Sequence, residues 1–208
     1  MKPTFVLITT LAILSTTAIA QTPRHIALKR AKLNTEVAEV TDATADLALQ
    51  VASYLFSSKE FQDTLAKLNF QYPNHCDGCG KGPDRPERIP GTTILNDLFK
   101  RPEVALTLNL KTMGRRPRKN HCYGLGATCP NTDLITSYYL NIDCDMGEDF
   151  PFPYGYGVHL CHEYMHNIGY CHTDHDDDVA EDVGWIAYYY IKKWYQEHRK
   201  GLPGIAAQ

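Results

Sequence analysis

The chain has 208 residues, of which 43% are hydrophobic and 22% charged, and its formal net charge is −3 at pH 7. This length is enough for one domain with a sizeable core. The slightly negative charge argues against a general nucleic-acid binder, so we expect no nucleic-acid partner.

Residues 1–20 have the pattern of a secretory signal peptide. Lys2 gives a short basic start, an apolar run follows, and the segment ends in the small-x-small pattern AIA. An uncleaved anchor is the alternative, although the run is short for a membrane span. We therefore expect a mature chain that begins near Gln21, is secreted or periplasmic, and has no membrane span after signal cleavage.

The cysteine content is informative for an exported chain. All seven cysteines follow the predicted cleavage point, and an odd number leaves at least one without an intramolecular partner. The spacing does not determine the connectivity, although Cys122 and Cys129 could close a small loop. The seven are Cys76, Cys79, Cys122, Cys129, Cys144, Cys161 and Cys171.

The first half of the mature chain is predicted to be mainly helical. Residues 21–40 show no strong period and are interpreted as a flexible lead or short pro-segment, which leaves 41–208 as the domain. Apolar residues at helical spacing predict a helix from Asp42 to Phe56. A capping box at Ser57 and Glu60 predicts a second helix through about Leu68.

Two strands and a short helix are predicted before the histidine-rich segment. Thr92 or Thr93 can cap a short helix that continues to Lys100. The alternating segment EVALTLNLKT, residues 103–112, indicates a half-buried strand. The segment LITSYYLNI, residues 134–142, indicates a second strand.

Two further helices are predicted near the C-terminus. Pro151 and Pro153 argue against a helix at their positions, so the next helix is expected from about Gly157 to Ile168. A long helix is expected after the acidic turn, over residues 178–200, because acidic residues at its start and basic residues towards its end complement the helix dipole.

The segment HEYMHNIGYCH carries the clearest chemical signal. His162 and His166 are four residues apart, so on a helix they share one face and can bind one metal ion. Glu163 lies at the edge of that face, where it can act as a general base without being a ligand. Gly169 can adopt the left-handed conformation that ends a helix, which would bring His172 back as a third ligand. Three imidazoles that leave a fourth position open suit a catalytic Zn²⁺ site.

This segment matches the pattern HExxHxxGxxH and so resembles the zinc signature of the metzincin metallopeptidases. The resemblance covers this segment alone. It implies a zincin-like α+β fold with a small mixed β-sheet, an active-site helix and a long C-terminal helix. It also implies that His162, His166 and His172 are the zinc ligands and that Glu163 is the catalytic base.

The chain departs from the metzincin pattern at one point. Metzincins carry a methionine in a tight turn after the third histidine, which forms a floor beneath the zinc, whereas no methionine follows His172 here. The methionines are Met1, Met113, Met146 and Met165. Trp185, Ile186 and the run 188–190 are the candidates for a substitute floor.

Other metal-binding interpretations stay open. His175 could replace His172, although it lacks the spacing that the glycine provides. The segment DHDDD could bind calcium, but acidic residues at a helix N-terminus need no metal. Cys76 or Cys79, in the segment HCDGCG, could form a structural metal knuckle or cap the zinc in a latent form, unless they are disulfide-bonded.

The predicted function is a secreted zinc-dependent endopeptidase that hydrolyses peptide bonds with a zinc-activated water and Glu163 as base. A protein or peptide substrate would add to an edge strand, for which 134–142 is the candidate. A tyrosine from the run 188–190 is a candidate for holding the oxyanion. The alternatives are a non-catalytic secreted zinc-binding or adhesion domain, and a zinc amidase acting on cell-wall material.

Overall fold

A computed structural model of the chain describes residues 23–71, 79, 87–114, 122, 124–172, 178–198 and 202. The predicted signal peptide lies outside these residues. The strands are β1 (Ala27–Thr35), β2 (Asn69–Gln71), β3 (Arg88–Pro90), β4 (Glu103–Lys111), β5 (Gly126–Ala127) and β6 (Leu134–Tyr138). The helices are α1 (Asp42–Ser57), α2 (Lys59–Leu65), α3 (Gly91–Leu98), α4 (Tyr139–Met146), α5 (Phe152–Asn167) and α6 (Val179–Glu197).

The fold is α+β, with a small mixed sheet as predicted. The larger sheet has the strand order β1-β4-β6-β5, in which β1, β4 and β6 are parallel and β5 is antiparallel to β6. β2 and β3 form a separate antiparallel pair. α1 contacts both β1 and α5, and α5 in turn contacts α6, so α5 lies at the centre of the helical layer.

β1 was not predicted, and the interpretation of 21–40 as a flexible lead is wrong for this strand. The strand has a weak sequence signal because it lies at the edge of the sheet, where Leu28 is its one buried residue. Its register along β4 also shifts between Arg30 and Lys32, which interrupts the alternation of the side chains.

β4 confirms the strand predicted over 103–112. It lies between β1 and β6, and its alternate residues Val104, Leu106, Leu108 and Leu110 are fully buried. α1 also closely matches its prediction. α2 begins one residue later than predicted, after the N-cap Ser58, and ends at Leu65, so Leu68 lies beyond the helix and is 38% exposed.

The strand predicted over 134–142 is only half correct. β6 ends at Tyr138, and α4 begins at the next residue. Ile142 and Met146 are one helical turn apart and both are buried, whereas Leu140 is 41% exposed, which a continued strand would not explain. The edge assignment is also wrong, because β5 pairs with β6 and forms the edge itself.

α5 begins five residues earlier than predicted. Pro151 is its N-cap and Pro153 lies in its first turn, where a proline removes no helical hydrogen bond because the first N–H groups have no acceptor in the helix. The prolines therefore start the helix instead of excluding it. α6 confirms the long C-terminal helix.

The cysteines support the expectation of disulfide bonds but correct one suggested pair. Cys122 is bonded to Cys144 and Cys79 to Cys129, so Cys122 and Cys129 do not pair with each other. Cys171 is also disulfide-bonded. Among the described cysteines, the buried Cys161 is free.

The hydropathy of the helices also bears on the membrane prediction. Within the described part of the chain, no helix combines the length and the apolar character needed to cross a membrane.

Candidate metal centre

α5 positions the first two histidines inside the protein. Nearly all of its residues are buried, because α1 and α6 contact it from different sides. Gly157 permits the close approach of α1, since a Cβ atom there would lie 2.6 Å from Cγ1 of Val51. His162 and His166 follow on the helix, with His166 only 8% exposed. The helix therefore places two imidazoles at the border between the core and a cleft.

The predicted turn after α5 is confirmed. Gly169 has a φ of 98°, in the left-handed region that favours glycine. Its N–H donates to the carbonyl of His166, and the N–H of Tyr170 donates to the carbonyl of Met165, which is the Schellman pattern of a helix end. The chain reverses here and carries His172 back towards the face of α5.

The three histidines converge on one point. The Nε2 atom of His166 lies 3.2 Å from Nε2 of His162 and 3.1 Å from Nε2 of His172. One ligand atom from each of the three residues lies within 4.8 Å of the others, and no other group of this kind occurs among the described residues. Nitrogen ligands at 2.0–2.1 Å around a tetrahedral ion are about 3.3 Å apart. The spacing of the imidazoles therefore fits a single metal ion.

The Nδ1 atoms of these histidines form hydrogen bonds with groups outside the metal centre. Nδ1 of His166 lies 2.6 Å from the carbonyl oxygen of Tyr170, and Nδ1 of His172 lies 3.0 Å from Oδ2 of Asp178. His162 is hydrogen-bonded to the backbone of Ala180. A proton on Nδ1 satisfies both acceptors and leaves the Nε2 lone pairs directed at the shared point. This is the tautomer that metal binding requires.

The protonation state of the two histidines on α5 also favours a metal. Burial lowers the pKa of His162 well below its usual value and lowers that of His166 to about 4. Both rings are therefore neutral near pH 7 and can act as ligands. The hydrogen bond to Asp178 raises the pKa of the more exposed His172. His162 and His166 are thus neutral ligands, whereas His172 would release a proton when a metal binds.

Glu163 faces the cleft beside this centre. The residue is 3% exposed, and its Oε2 atom has no hydrogen-bond partner. Burial raises the pKa of Glu163 to about 7, against the opposing effect of the Thr128 side chain. A buried carboxyl group with one oxygen atom left without a hydrogen-bond partner is costly to maintain, which points to a use for it in the cleft.

His159 is a polar residue of this site that the sequence analysis missed. It lies one helical turn before Glu163, with Nε2 3.7 Å from Oε1 of that residue and 3.1 Å from Oγ of Ser137. Gly126 makes room for the ring, since a Cβ atom there would lie 2.6 Å from Nε2 of His159. The i,i+4 spacing to Glu163 was the available signal.

A cleft of about 730 Å³ opens over the centre. Its walls come from the segment around β5, from the end of α4, from α5 and from one face of α6. The cleft is lined by both polar and apolar groups, and none of the described residues that line it is a lysine or an arginine. It is large enough for several residues of an extended peptide.

The three tyrosines at 188–190, which were the candidates for holding the oxyanion, have other surroundings for their hydroxyl groups. The hydroxyl of Tyr188, which lines the cleft, donates to Asp149 and accepts from Lys192. The hydroxyl of Tyr190 lies 2.8 Å from Oγ1 of Thr64, and Tyr189 is 61% exposed. Their hydroxyl groups are engaged elsewhere or turned outwards.

α6 contacts the metal centre at a glycine that was not among the candidates for a substitute floor. Gly184 lies against His162, because a Cβ atom there would be 3.4 Å from Nδ1 of that ring. Trp185 lines the cleft but is 67% exposed. The contact of α6 with His162 is therefore made at a glycine, which no hydrophobicity pattern would select.

The structure describes only some of the alternative metal-binding residues. His175 and Cys76 lie outside the described residues, as does DHDDD except for its last residue, Asp178. Cys79 is bonded to Cys129, so it has no thiolate with which to cap a metal.

Comparisons with family models, with curated proteins and with solved structures gave no match to this chain.

Proposed function

We propose that the protein is a zinc-dependent endopeptidase of a zincin-like kind. One observation carries the proposal: three Nε2 atoms converge in a peptide-sized cleft that is also lined by Glu163, a buried carboxyl group whose Oε2 atom has no hydrogen-bond partner. The resemblance of HEYMHNIGYCH to the metzincin signature assigns the same residues, His162, His166 and His172, as ligands and Glu163 as base.

Zinc is the metal that suits this ligand set best. Neutral imidazoles bind Zn²⁺ well, and a site with three protein ligands leaves a position open for substrate or water. When bound, zinc would polarise the scissile carbonyl and lower the pKa of water. The hydrogen bonds that the Nδ1–H groups of His166 and His172 donate to the Tyr170 carbonyl and the Asp178 carboxylate would keep both rings in the ligating orientation.

Glu163 is the proposed general base. It follows the first ligand directly and is not itself needed to hold the metal. Its free Oε2 atom can accept a proton from the attacking water. The protonated carboxyl can then deliver that proton to the amine that leaves when the peptide bond breaks. A site that only bound a metal would have no use for this buried carboxylate.

β5 is the proposed partner of an extended peptide. It forms the edge of the sheet, and Gly126 and Ala127 line the cleft. An extended substrate can add to such an edge through main-chain hydrogen bonds, which depend little on side-chain identity. This arrangement supports cleavage within polypeptides.

The cysteines support the proposal that the enzyme acts outside the cytoplasm. The bonds Cys79–Cys129 and Cys122–Cys144 are typical of an oxidising compartment. The first of them borders the cleft. Together with the signal-peptide pattern at 1–20, they favour a secreted or periplasmic location.

The test is digestion of a broad peptide library by the zinc-loaded, the metal-stripped and the reloaded protein, with products mapped by mass spectrometry. We expect cleavage within the peptides that is lost on stripping and restored by zinc. Purified cell-wall material is assayed in parallel. Release of amide-linked peptides from that material without library cleavage would assign an amidase instead, and binding of zinc without either activity would assign a binding domain.

A further inference from the structure

The carboxylate of Asp178 has two separate tasks. Oδ1 accepts hydrogen bonds from the backbone N–H groups of Ala180 at 2.8 Å and Glu181 at 3.2 Å, which makes Asp178 the N-cap of α6. Oδ2 lies 3.0 Å from Nδ1 of His172. One side chain therefore joins the start of a long helix to the third histidine of the metal centre.

The position of Asp178 leaves this carboxylate little freedom. The residue is 3% exposed, and both of its oxygen atoms are engaged. His172 is the most exposed of the three histidines, with 53% of its side chain accessible, and it lies beyond the end of α5. Its ring therefore depends on an outside partner more than the rings of His162 and His166, which the helix itself holds.

We propose that Asp178 is a positioning residue that orients His172 for metal binding and couples the metal centre to the start of α6. This inference rests on the proposed metal site. A cap alone needs only one oxygen acceptor, which serine supplies as well as aspartate. The second oxygen faces the ring nitrogen, where it holds the proton on Nδ1 and leaves Nε2 free as the ligand atom.

The test separates these two tasks by substitution. Asp178→Ser keeps a good N-cap but is too short to reach His172. Asp178→Asn keeps the size but has one acceptor where the aspartate has two, so it cannot serve both partners fully. Thr41→Ala, which removes the N-cap of α1, is the matched control for a lost cap far from the metal.

Two measurements are made on each variant. Zinc affinity is measured by competition with a chelator, and thermal unfolding is measured on the metal-free protein. For Asp178→Ser we expect zinc affinity to fall about 10–100-fold, as is typical when an outer partner of a ligand is lost. We expect its metal-free unfolding temperature to stay close to that of the wild type. Thr41→Ala should lower the unfolding temperature and leave zinc affinity within about twofold.

A third measurement reports the tautomer of the His172 ring directly. The ¹⁵N chemical shifts of His172 in the metal-free protein should show one tautomer, protonated on Nδ1, in the wild type and a mixture in Asp178→Ser. Zinc affinity within about twofold of the wild type in both Asp178 variants would overturn the proposal. So would an equal loss of zinc affinity in Thr41→Ala, because the effect would then follow from stability alone.

These results are independent of peptide cleavage. A wild type that binds zinc and cuts nothing contradicts the proposed peptidase, while the ratio of zinc affinities still decides the role of Asp178.

Discussion

α5 and α6 both contact the metal centre, but they contribute to it in different ways. α5 carries two of the histidines and the carboxylate within one helical turn, at His162, Glu163 and His166. α6 carries none of the three histidines. It contacts the centre from outside, through the carboxylate of Asp178 and the backbone at Gly184.

The difference between the two helices shows how the centre is built. The groups on α5 are arranged by the helical repeat, which is local and depends on spacing alone. The groups on α6 reach the histidines only after the two helices have packed together. The chemistry is therefore encoded in one short segment, whereas its precision depends on contacts between distant parts of the chain.

The largest effect is expected from removing a ligand on α5. His166→Ala should abolish most zinc binding, with a loss of affinity beyond the roughly 10–100-fold expected for an outer partner. Two of three imidazoles cannot hold the ion as tightly. Zinc content after gel filtration measures this, and His198→Ala, at the end of α6, is the control. Full zinc occupancy in His166→Ala would show that the assignment of the ligands is wrong.

A second prediction concerns His159, which lies one turn before Glu163 on α5 and contacts Ser137 of β6. Burial lowers the pKa of His159 from 6.5 to about 3. Because the pKa of His159 is lower in the folded than in the unfolded chain, protonation of this residue favours unfolding. The folded state therefore has its full stability above pH 6.5 and loses stability as the pH falls from there towards 3. Between pH 7 and pH 5 this residue alone should reduce the free energy of unfolding by about 2 kcal/mol.

His159→Gln removes this titration and keeps a side chain that can hydrogen-bond to Ser137. Urea unfolding of the metal-free protein at the two pH values measures the effect. The wild type should lose about 2 kcal/mol more than the variant on acidification. Equal losses in the two proteins would mean that His159 is not kept neutral by the fold.

The smallest effects are expected at Gly184, on α6. A Cβ atom at this position would be in ordinary van der Waals contact with His162, so Gly184→Ala should bind zinc like the wild type. The alanine should also stabilise the helix by up to about 1 kcal/mol. Gly184→Leu should displace the ring and lower zinc affinity about tenfold, towards the lower end of the effect of a lost outer partner. Chelator competition on both variants tests whether the backbone of α6 supports His162.

The contrast between local geometry on α5 and tertiary contacts from α6 also explains what could be predicted from the sequence. The histidine spacing and the left-handed turn at Gly169 were predictable, because both depend on local geometry. β4 and α6 were predictable as well, since each has a clear period of buried residues. Asp178 was visible only as one acid near a helix start, and its contact with His172 depends on the tertiary fold.

The errors have a related cause. β1 buries one strand residue against its neighbours and is rich in basic residues, so it has no alternation to detect. The first half of α4 continues the apolar and aromatic pattern of β6, and the packing of Ile142 and Met146 on one helical face distinguishes a helix from a strand. Pro153 argues against a helix only if it lies in the interior of one. In the first turn, where α5 places it, a proline is compatible with the helix and even favours its start.

The central claim is that Glu163 activates the attacking water at a site whose metal the histidines hold. Zinc content and peptide cleavage, measured on the same samples of wild type and Glu163→Gln, test this most directly. The glutamine keeps the shape of the side chain but cannot accept the proton at neutral pH. We predict equal zinc content, with turnover reduced about a hundredfold to ten-thousandfold. A variant that binds zinc and cleaves peptides as fast as the wild type would contradict the mechanism.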